Sequence, residues 1–237
     1  YPSALSTPTW GFQDVLFKGK ELRLPQEFDS YVMENILFKI SYPAEFHAQT
    51  AVEAAVILHP EMKDKGFSSI EKIVITTHES AIRIISKEGK LNNPADRDHC
   101  IQYMTAIGLL KGNLIAEDYE DDVASDPLID SLRSKMVIEE DPRYSKEYLE
   151  ADKRSIANAI QIYFSDGSFT EKVEVEYPIG HKRRREEGIP ILIEKFKNNL
   201  TTHFSKSRSD QINSLCLDQS TLEQTVVSDF MNLLVAE

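Results

Sequence analysis

The stretch Ile160-Gln161-Ile162-Tyr163-Phe164-Ser165-Asp166-Gly167, answered by Val173-Glu174-Val175-Glu176-Tyr177-Pro178, decides how the rest of the 237-residue chain is read. Apolar side chains alternate at 160, 162 and 164, as a strand with one buried face requires. Asp166-Gly167 is a turn pair, because glycine enters left-handed backbone without a Cβ penalty. Alternation resumes at 173, 175 and 177, so the reading is an antiparallel hairpin. Beyond Pro178 the apolar spacing becomes helical: about Gly188 to Phe204, then Ser209 to Leu217, then Leu222 to Val235.

Working upstream, Met136-Val137-Ile138 reads as a short strand after a helix from Pro127 to Lys135. Ile70 to Thr77 is the clearest strand, rich in β-branched residues. An amphipathic helix is expected over Asp98–Lys111, with Cys100, Tyr103, Met104 and Ile107 on one stripe and Gly112 as its stop. Ile36 to Ser41 reads as a further short strand. Pro43 then opens a helix to about His59, with Glu45 in its first turn and alanines at 44, 48, 51, 54 and 55 that permit close packing. Residues 1–34 carry Pro2, Pro8, Gly11, Gly19 and Pro25, which break every periodic run. The expected class is α+β: a small domain with a mainly antiparallel sheet and packed helices, followed by helices of an all-helical domain. Its expected segments are 1–34 as a connecting piece, 35–180 as the α+β domain, and 181–237 as the helical return.

Composition restricts function. A 41% hydrophobic content supplies a core, and no apolar run approaches a membrane span. With a net charge of −12, general attraction to nucleic acid or an anionic membrane is not expected, so an anionic ligand needs a local group of cations. The two cysteines, Cys100 and Cys216, have no paired spacing, which argues against a disulfide framework and against an iron–sulfur cluster. A cytoplasmic, reducing setting is the expectation. Because the chain opens at Tyr1-Pro2-Ser3 on a mixed aromatic and apolar pattern, it is also expected to be a piece of a longer protein.

Three polar clusters fit anion chemistry. Lys39, Tyr42, Glu45 and His47 surround a strand end and a helix start, where free N–H groups attract carboxylates. Asn92, Asn93, Asp96, Arg97, Asp98 and His99 form a polar loop entering a helix; Arg97 could grip a carboxylate and His99 exchange a proton. The same residues also suit an ordinary cap and a surface ion pair. The basic run Lys182-Arg183-Arg184-Arg185 is followed directly by Glu186-Glu187, which fits a carboxylate-pairing loop. His59, His78-Glu79 and His203 lack ligand spacing, so no metal is assigned.

Longer motifs go further. Ser30-Tyr31-Val32-Met33-Glu34-Asn35-Ile36-Leu37-Phe38-Lys39 with Tyr42-Pro43-Ala44-Glu45-Phe46-His47-Ala48-Gln49-Thr50, then Leu91-Asn92-Asn93-Pro94-Ala95-Asp96-Arg97-Asp98-His99-Cys100-Ile101-Gln102, and Val175-Glu176-Tyr177-Pro178-Ile179-Gly180-His181, closely resemble the 2-methylcitrate dehydratases of the MmgE/PrpD family. The resemblance runs over nearly the whole chain. It implies the C-terminal part of an enzyme that eliminates water from 2-methylcitrate to give 2-methyl-cis-aconitate in propionate catabolism, without metal or organic cofactor. It also implies a homodimer, an upstream helical domain of the same protein, and a lid role for residues 35–180.

Site residues transfer by motif. The lysine before the Tyr-Pro step, Lys39, is shared with the related cis-aconitate decarboxylases. Glu45 stands where those enzymes carry an active-site histidine, with His47 two positions on, and either is the counterpart; His99 stands where they carry a pocket tyrosine. Lys39, His47 and His99 are therefore the expected catalytic residues, and Tyr42, Glu45, Arg97 and Gln102 the expected substrate-binding ones. A decarboxylase and a non-enzymatic lid and dimerisation module are the alternative readings. The motif Glu45-Phe46-His47-Ala48-Gln49-Thr50 favours the dehydratase.

Overall fold

A computed structural model describes residues 4–20, 23 and 36–235. Contacts divide the chain into two units, residues 1–36 and 37–237. The described part of the first holds turns and one short helix, α1 (Phe12–Phe17), stopped by Lys18 in left-handed backbone. The motif residues Ser30–Asn35 lie outside the described residues.

In the second unit the strand expected over Ile36–Ser41 does not form. Residues 36–40 have no regular secondary structure: Phe38 N–H donates to the carbonyl of Gly180 (3.3 Å) and Ile40 is buried in the core instead of joining a ladder. Apolar alternation here serves burial of one side chain, not pairing. The helix start also moves. The Gln49 side-chain amide donates to the carbonyls of Tyr42 and Ala44 (2.7 and 2.8 Å), which keeps Pro43 in a loop. Glu45 then caps a 3-10 turn at Phe46–Ala48, and α2 (Gln49–Lys65) follows, passing His59 and Pro60 to end at Gly66 in left-handed backbone. Burial of Met62 favours the extra turn beyond the proline.

β1 (Ile70–Thr77) lies where the sequence puts it and leads into α3 (Glu79–Ile85). The single helix expected from Asp98 is interrupted: α4 (Pro94–Asp98), capped by the Asn93 side chain, ends at His99, and α5 (Ile101–Lys111) restarts after Cys100. Nor is α5 amphipathic. Every residue from Ile101 to Leu109 is buried, because α2 and α7 pack on it and polar Gln102 and Thr105 are enclosed as well. The alanine stripe of α2 allows this approach: a Cβ added at Gly108 would sit 2.9 Å from the Ala55 methyl.

The chain continues through α6 (Asp121–Ala124), α7 (Pro127–Arg133), β2 (Met136–Glu140) and α8 (Pro142–Leu149) to the hairpin strands β3 (Asn158–Phe164) and β4 (Val173–Val175). Sheet order is β2-β1-β3-β4. β1 pairs with β2 in parallel, while β1–β3 and β3–β4 are antiparallel, so the expected α+β fold with a mainly antiparallel sheet is found. Gly167 turns the hairpin at φ +83°.

The tail forms α9 (Arg185–Thr201), α10 (Lys206–Leu217), α11 (Gln219–Gln224) and α12 (Val227–Leu233). The third expected helix is thus two, separated by extended Thr225 and Val226. Arg184 holds the start of α9 to α2 through both oxygens of Glu53 (2.8 and 2.9 Å) and also donates to the Tyr177 carbonyl (2.7 Å). Farther along α9, Lys195 donates to the Lys39 carbonyl (2.8 Å). Among the described residues no helix is long and apolar enough to cross a membrane.

Candidate active site

The sheet register brings the ends of several elements to one place. Thr77, the last residue of β1, pairs with Glu140, the last of β2, and Thr76 pairs with Ala159 at the start of antiparallel β3. His78, the start of α8 and Asn158 therefore lie at one end of the sheet, and the stack of Tyr148 on His78 brings the last turn of α8 there as well. Asn158 Nδ2 reaches across to the His47 carbonyl (2.8 Å) and to the Thr50 hydroxyl (2.7 Å), which fixes the turn carrying His47 against β3.

A chain of hydrogen bonds runs through this corner. His47 Nδ1 faces both oxygens of the Glu45 carboxylate (2.8 and 2.9 Å), and the His47 backbone N–H donates to the same group (2.8 Å). Its other nitrogen, Nε2, lies 3.2 Å from the Tyr148 hydroxyl. A carboxylate beside Nδ1 fixes the proton on that nitrogen, so Nε2 is the atom that accepts from, or returns a proton to, the phenol. Burial alone would raise the Glu45 pKa, but hydrogen bonding and the charge of His47, helped by His99, hold it below the ordinary carboxylate value.

His78 completes the corner. Its ring stacks on Tyr148 (centroids 4.7 Å apart, planes 9° apart) and lies 5.2 Å from the His47 ring. Nδ1 accepts from the Ala81 N–H (3.3 Å), which leaves the proton of the neutral ring on Nε2, a buried atom with no hydrogen-bond partner among the described residues. Burial, then the positive charge of His47, push His78 down to about 4 against the opposing pull of Glu45. His181, which caps the turn before α9, is likewise pushed down to about 4 by burial and by Arg183, Lys182 and Arg185.

These two imidazoles give a pH prediction. Both are neutral in the fold, whereas in the unfolded chain each takes up a proton below its ordinary value of 6.5. The unfolded state binds more protons between pH 6.5 and 4, so stability is present above this window and is lost as pH falls through it. Denaturant titrations at pH 7 and pH 5 should differ by on the order of 3 kcal/mol in unfolding free energy. Equal midpoints at the two pH values would show that neither histidine is held neutral.

Of the residues singled out in the sequence, Glu45 and His47 are joined directly, and the charge of His99 acts on the Glu45 carboxyl. His99 sits half-exposed at the break between α4 and α5 with Nδ1 on the Asp98 carboxylate, so its Nε2 is the outward nitrogen. Lys39 lies on the same segment as the cluster, its ammonium 5.3 Å from the centroid of the Phe46 ring next to His47. Tyr42 is beside Glu53 and Arg184, and burial raises its phenol to about 12.

Arg97 and Gln102 are placed elsewhere. The Arg97 guanidinium is buried and donates to the Tyr119 carbonyl and to Asp121 (2.6 Å for the latter). It lines a surface cleft of about 340 Å³ in which Asp121 and Asp130 stand beside Lys90, Arg97 and Arg133. Gln102 ties down the 86–87 turn through Ser86 and the Lys87 N–H. Sequence reading missed Tyr148, His78 and Asn158. His78 directly follows the clearest strand, which is the one signal that could have raised it; nothing local marks Tyr148. Among the described residues no group of three or more histidine, cysteine, aspartate or glutamate side chains is placed to hold a metal ion.

Residues 42–219 match the model of the MmgE/PrpD C-terminal domain. The chain is 56% identical over 237 residues to a 2-methylcitrate dehydratase of Escherichia coli K12, covering 99% of this chain and 49% of that protein. It is 54% identical over 235 residues to the 2-methylcitrate dehydratase of Cupriavidus necator, covering 98% and 49%. A mitochondrial 2-methylcitrate dehydratase of Yarrowia lipolytica is 52% identical over 236 residues, covering 99% and 45%. The chain spans about half the length of these curated relatives.

Proposed function

The chain belongs to the MmgE/PrpD family, and from that premise we propose that the complete protein is a hydro-lyase that removes water from 2-methylcitrate to give 2-methyl-cis-aconitate in propionate breakdown. The observation that carries the reading is the hydrogen-bonded line Glu45–His47–Tyr148 at the sheet corner, with a second histidine, His99, in electrostatic reach.

The reaction breaks a C–H bond beside a carboxylate and a C–O bond to hydroxyl, and each break needs a proton partner. His99, with Nδ1 held by Asp98, presents Nε2 as the base that takes the carbon-bound proton. His47, hydrogen-bonded to Glu45 through Nδ1, belongs to the side that delivers a proton to the departing hydroxyl. Elimination thus charges one histidine and discharges the other, and exchange with solvent restores both. Lys39, exposed on the rim, neutralises a substrate carboxylate; Arg97 and Gln102 act as scaffold, since their polar atoms are already engaged inside the fold. Side chains alone carry the acid and base roles in this reading. A homodimer, an upstream helical domain closing over this corner, and a cytoplasmic setting belong to the same proposal.

The test is a product assay on the complete protein. Incubated with 2-methylcitrate, it is expected to form the conjugated alkene, followed by ultraviolet absorbance, with no carbon dioxide. Carbon dioxide from cis-aconitate would favour the decarboxylase reading, and inertness toward both tricarboxylates would overturn the proposal.

A further inference from the structure

We infer that Tyr148 is a catalytic residue, the group through which the His47 relay hands its proton to the departing hydroxyl; this rests on the dehydratase reading above. Three observations converge on it. Its hydroxyl lies 3.2 Å from His47 Nε2, the only ring atom left to exchange a proton once Nδ1 is engaged by Glu45. Its ring is held flat against His78, 4.7 Å away, so the direction of the phenol is set by a fully buried neighbour that is itself fixed by capping α3. Yet the Tyr148 side chain is not itself enclosed: it is half-buried at the end of α8, unlike the fully buried Tyr144 one turn earlier.

The arrangement has the form of a carboxylate–imidazole–hydroxyl series, in which the last member does the exchange and the first two set its proton supply. As the C–O bond breaks, its electron pair goes to the departing oxygen. The phenol proton moves to that oxygen and water leaves. Tyr148 regains a proton from His47 Nε2, while the carbon-bound proton has passed to His99 and the C–H electron pair has become the alkene. His78 serves as a positioning residue: its neutral ring stacks on the phenol without adding a charge that would repel protonated His47.

The test uses the complete protein with Tyr148→Phe, which keeps the ring on His78 and deletes the hydroxyl alone. Turnover of 2-methylcitrate is expected to fall on the order of 100-fold, with KM and melting temperature little changed. An analogue carrying fluoride in place of the eliminated hydroxyl needs no proton to leave, so the variant should process it nearly as fast as the parent does. Turnover within about threefold of the parent on 2-methylcitrate overturns the inference. So does an equal loss on both substrates, which is the mark of a structural role. His47→Asn run in parallel separates the two levels: if it is fully active the site reading itself falls, whereas full activity of Tyr148→Phe alone removes only Tyr148.

Discussion

In the complete protein, His47→Asn is expected to lower turnover of 2-methylcitrate by on the order of 1,000-fold while leaving the fold intact. Asparagine can place its amide near the Nδ1 position and keep a hydrogen bond to Glu45, so the local cap survives. What it lacks is Nε2, the atom 3.2 Å from the Tyr148 hydroxyl. Because Asn158 grips the His47 carbonyl and not its ring, and asparagine keeps the contact to Glu45, the melting temperature should move little. The loss should fall on kcat more than on KM, since in the proposed reading the ring acts when charge moves and not in holding the ground-state carboxylates. Steady-state kinetics with a thermal melt on the same preparation checks this, and a variant with parental kcat would take His47 out of the chemistry.

The second large effect is structural. Gly180 has φ +105°, and a Cβ there would lie 2.0 Å from the Phe38 carbonyl oxygen. Three backbone segments cross at this point: the Phe38 N–H donates to Gly180, and the Gly180 nitrogen lies 3.3 Å from where a Cβ on Gly188 would sit. Gly180→Ala therefore combines an unfavourable left-handed backbone with a clash against main chain that cannot rotate away. We expect a loss of about 3 kcal/mol or more, equivalent to a fall of about 6 °C or more in Tm for a chain of this size. A calorimetric scan reads it directly, and a shift inside experimental scatter would mean that the crossing relaxes freely. Residues 36–41 should be released first, and with them the loop leading to Glu45.

What could be read from the sequence was what local spacing decides. Alternation at 160, 162 and 164 with Asp166-Gly167 gave the hairpin because turn chemistry and side-chain period act within a few residues. The same logic failed at Ile36–Ser41, since whether an extended run gains a partner is settled by distant chain. It failed differently at α5: Tyr103, Met104 and Ile107 looked like one stripe, yet the residues between them are also apolar or small, and the helix is enclosed on all sides. Within the site, Glu45 and His47 were legible because two residues of separation suffice to join them. Arg97 is engaged inside the fold. A guanidinium in a polar loop looks ready for an anion, but once enclosed it takes the acceptors at hand, here the Tyr119 carbonyl and Asp121. Tyr148 could not be found, because the parallel pairing of β1 with β2 is what brings α8 to the end of β1, and His78 carried no signal beyond its place directly after that strand.

The corner where β1 and β2 end and β3 begins has a consequence for how the molecule comes into being. His47 meets Tyr148 across 101 residues of chain and Asn158 across 111. Loops of that length close late, after nearby helices and turns have settled. A nascent polypeptide emerging N-terminus first can form the Glu45 cap early but does not have the assembled corner until β3 leaves the ribosome, so a truncated translation product ending before residue 158 is born without it.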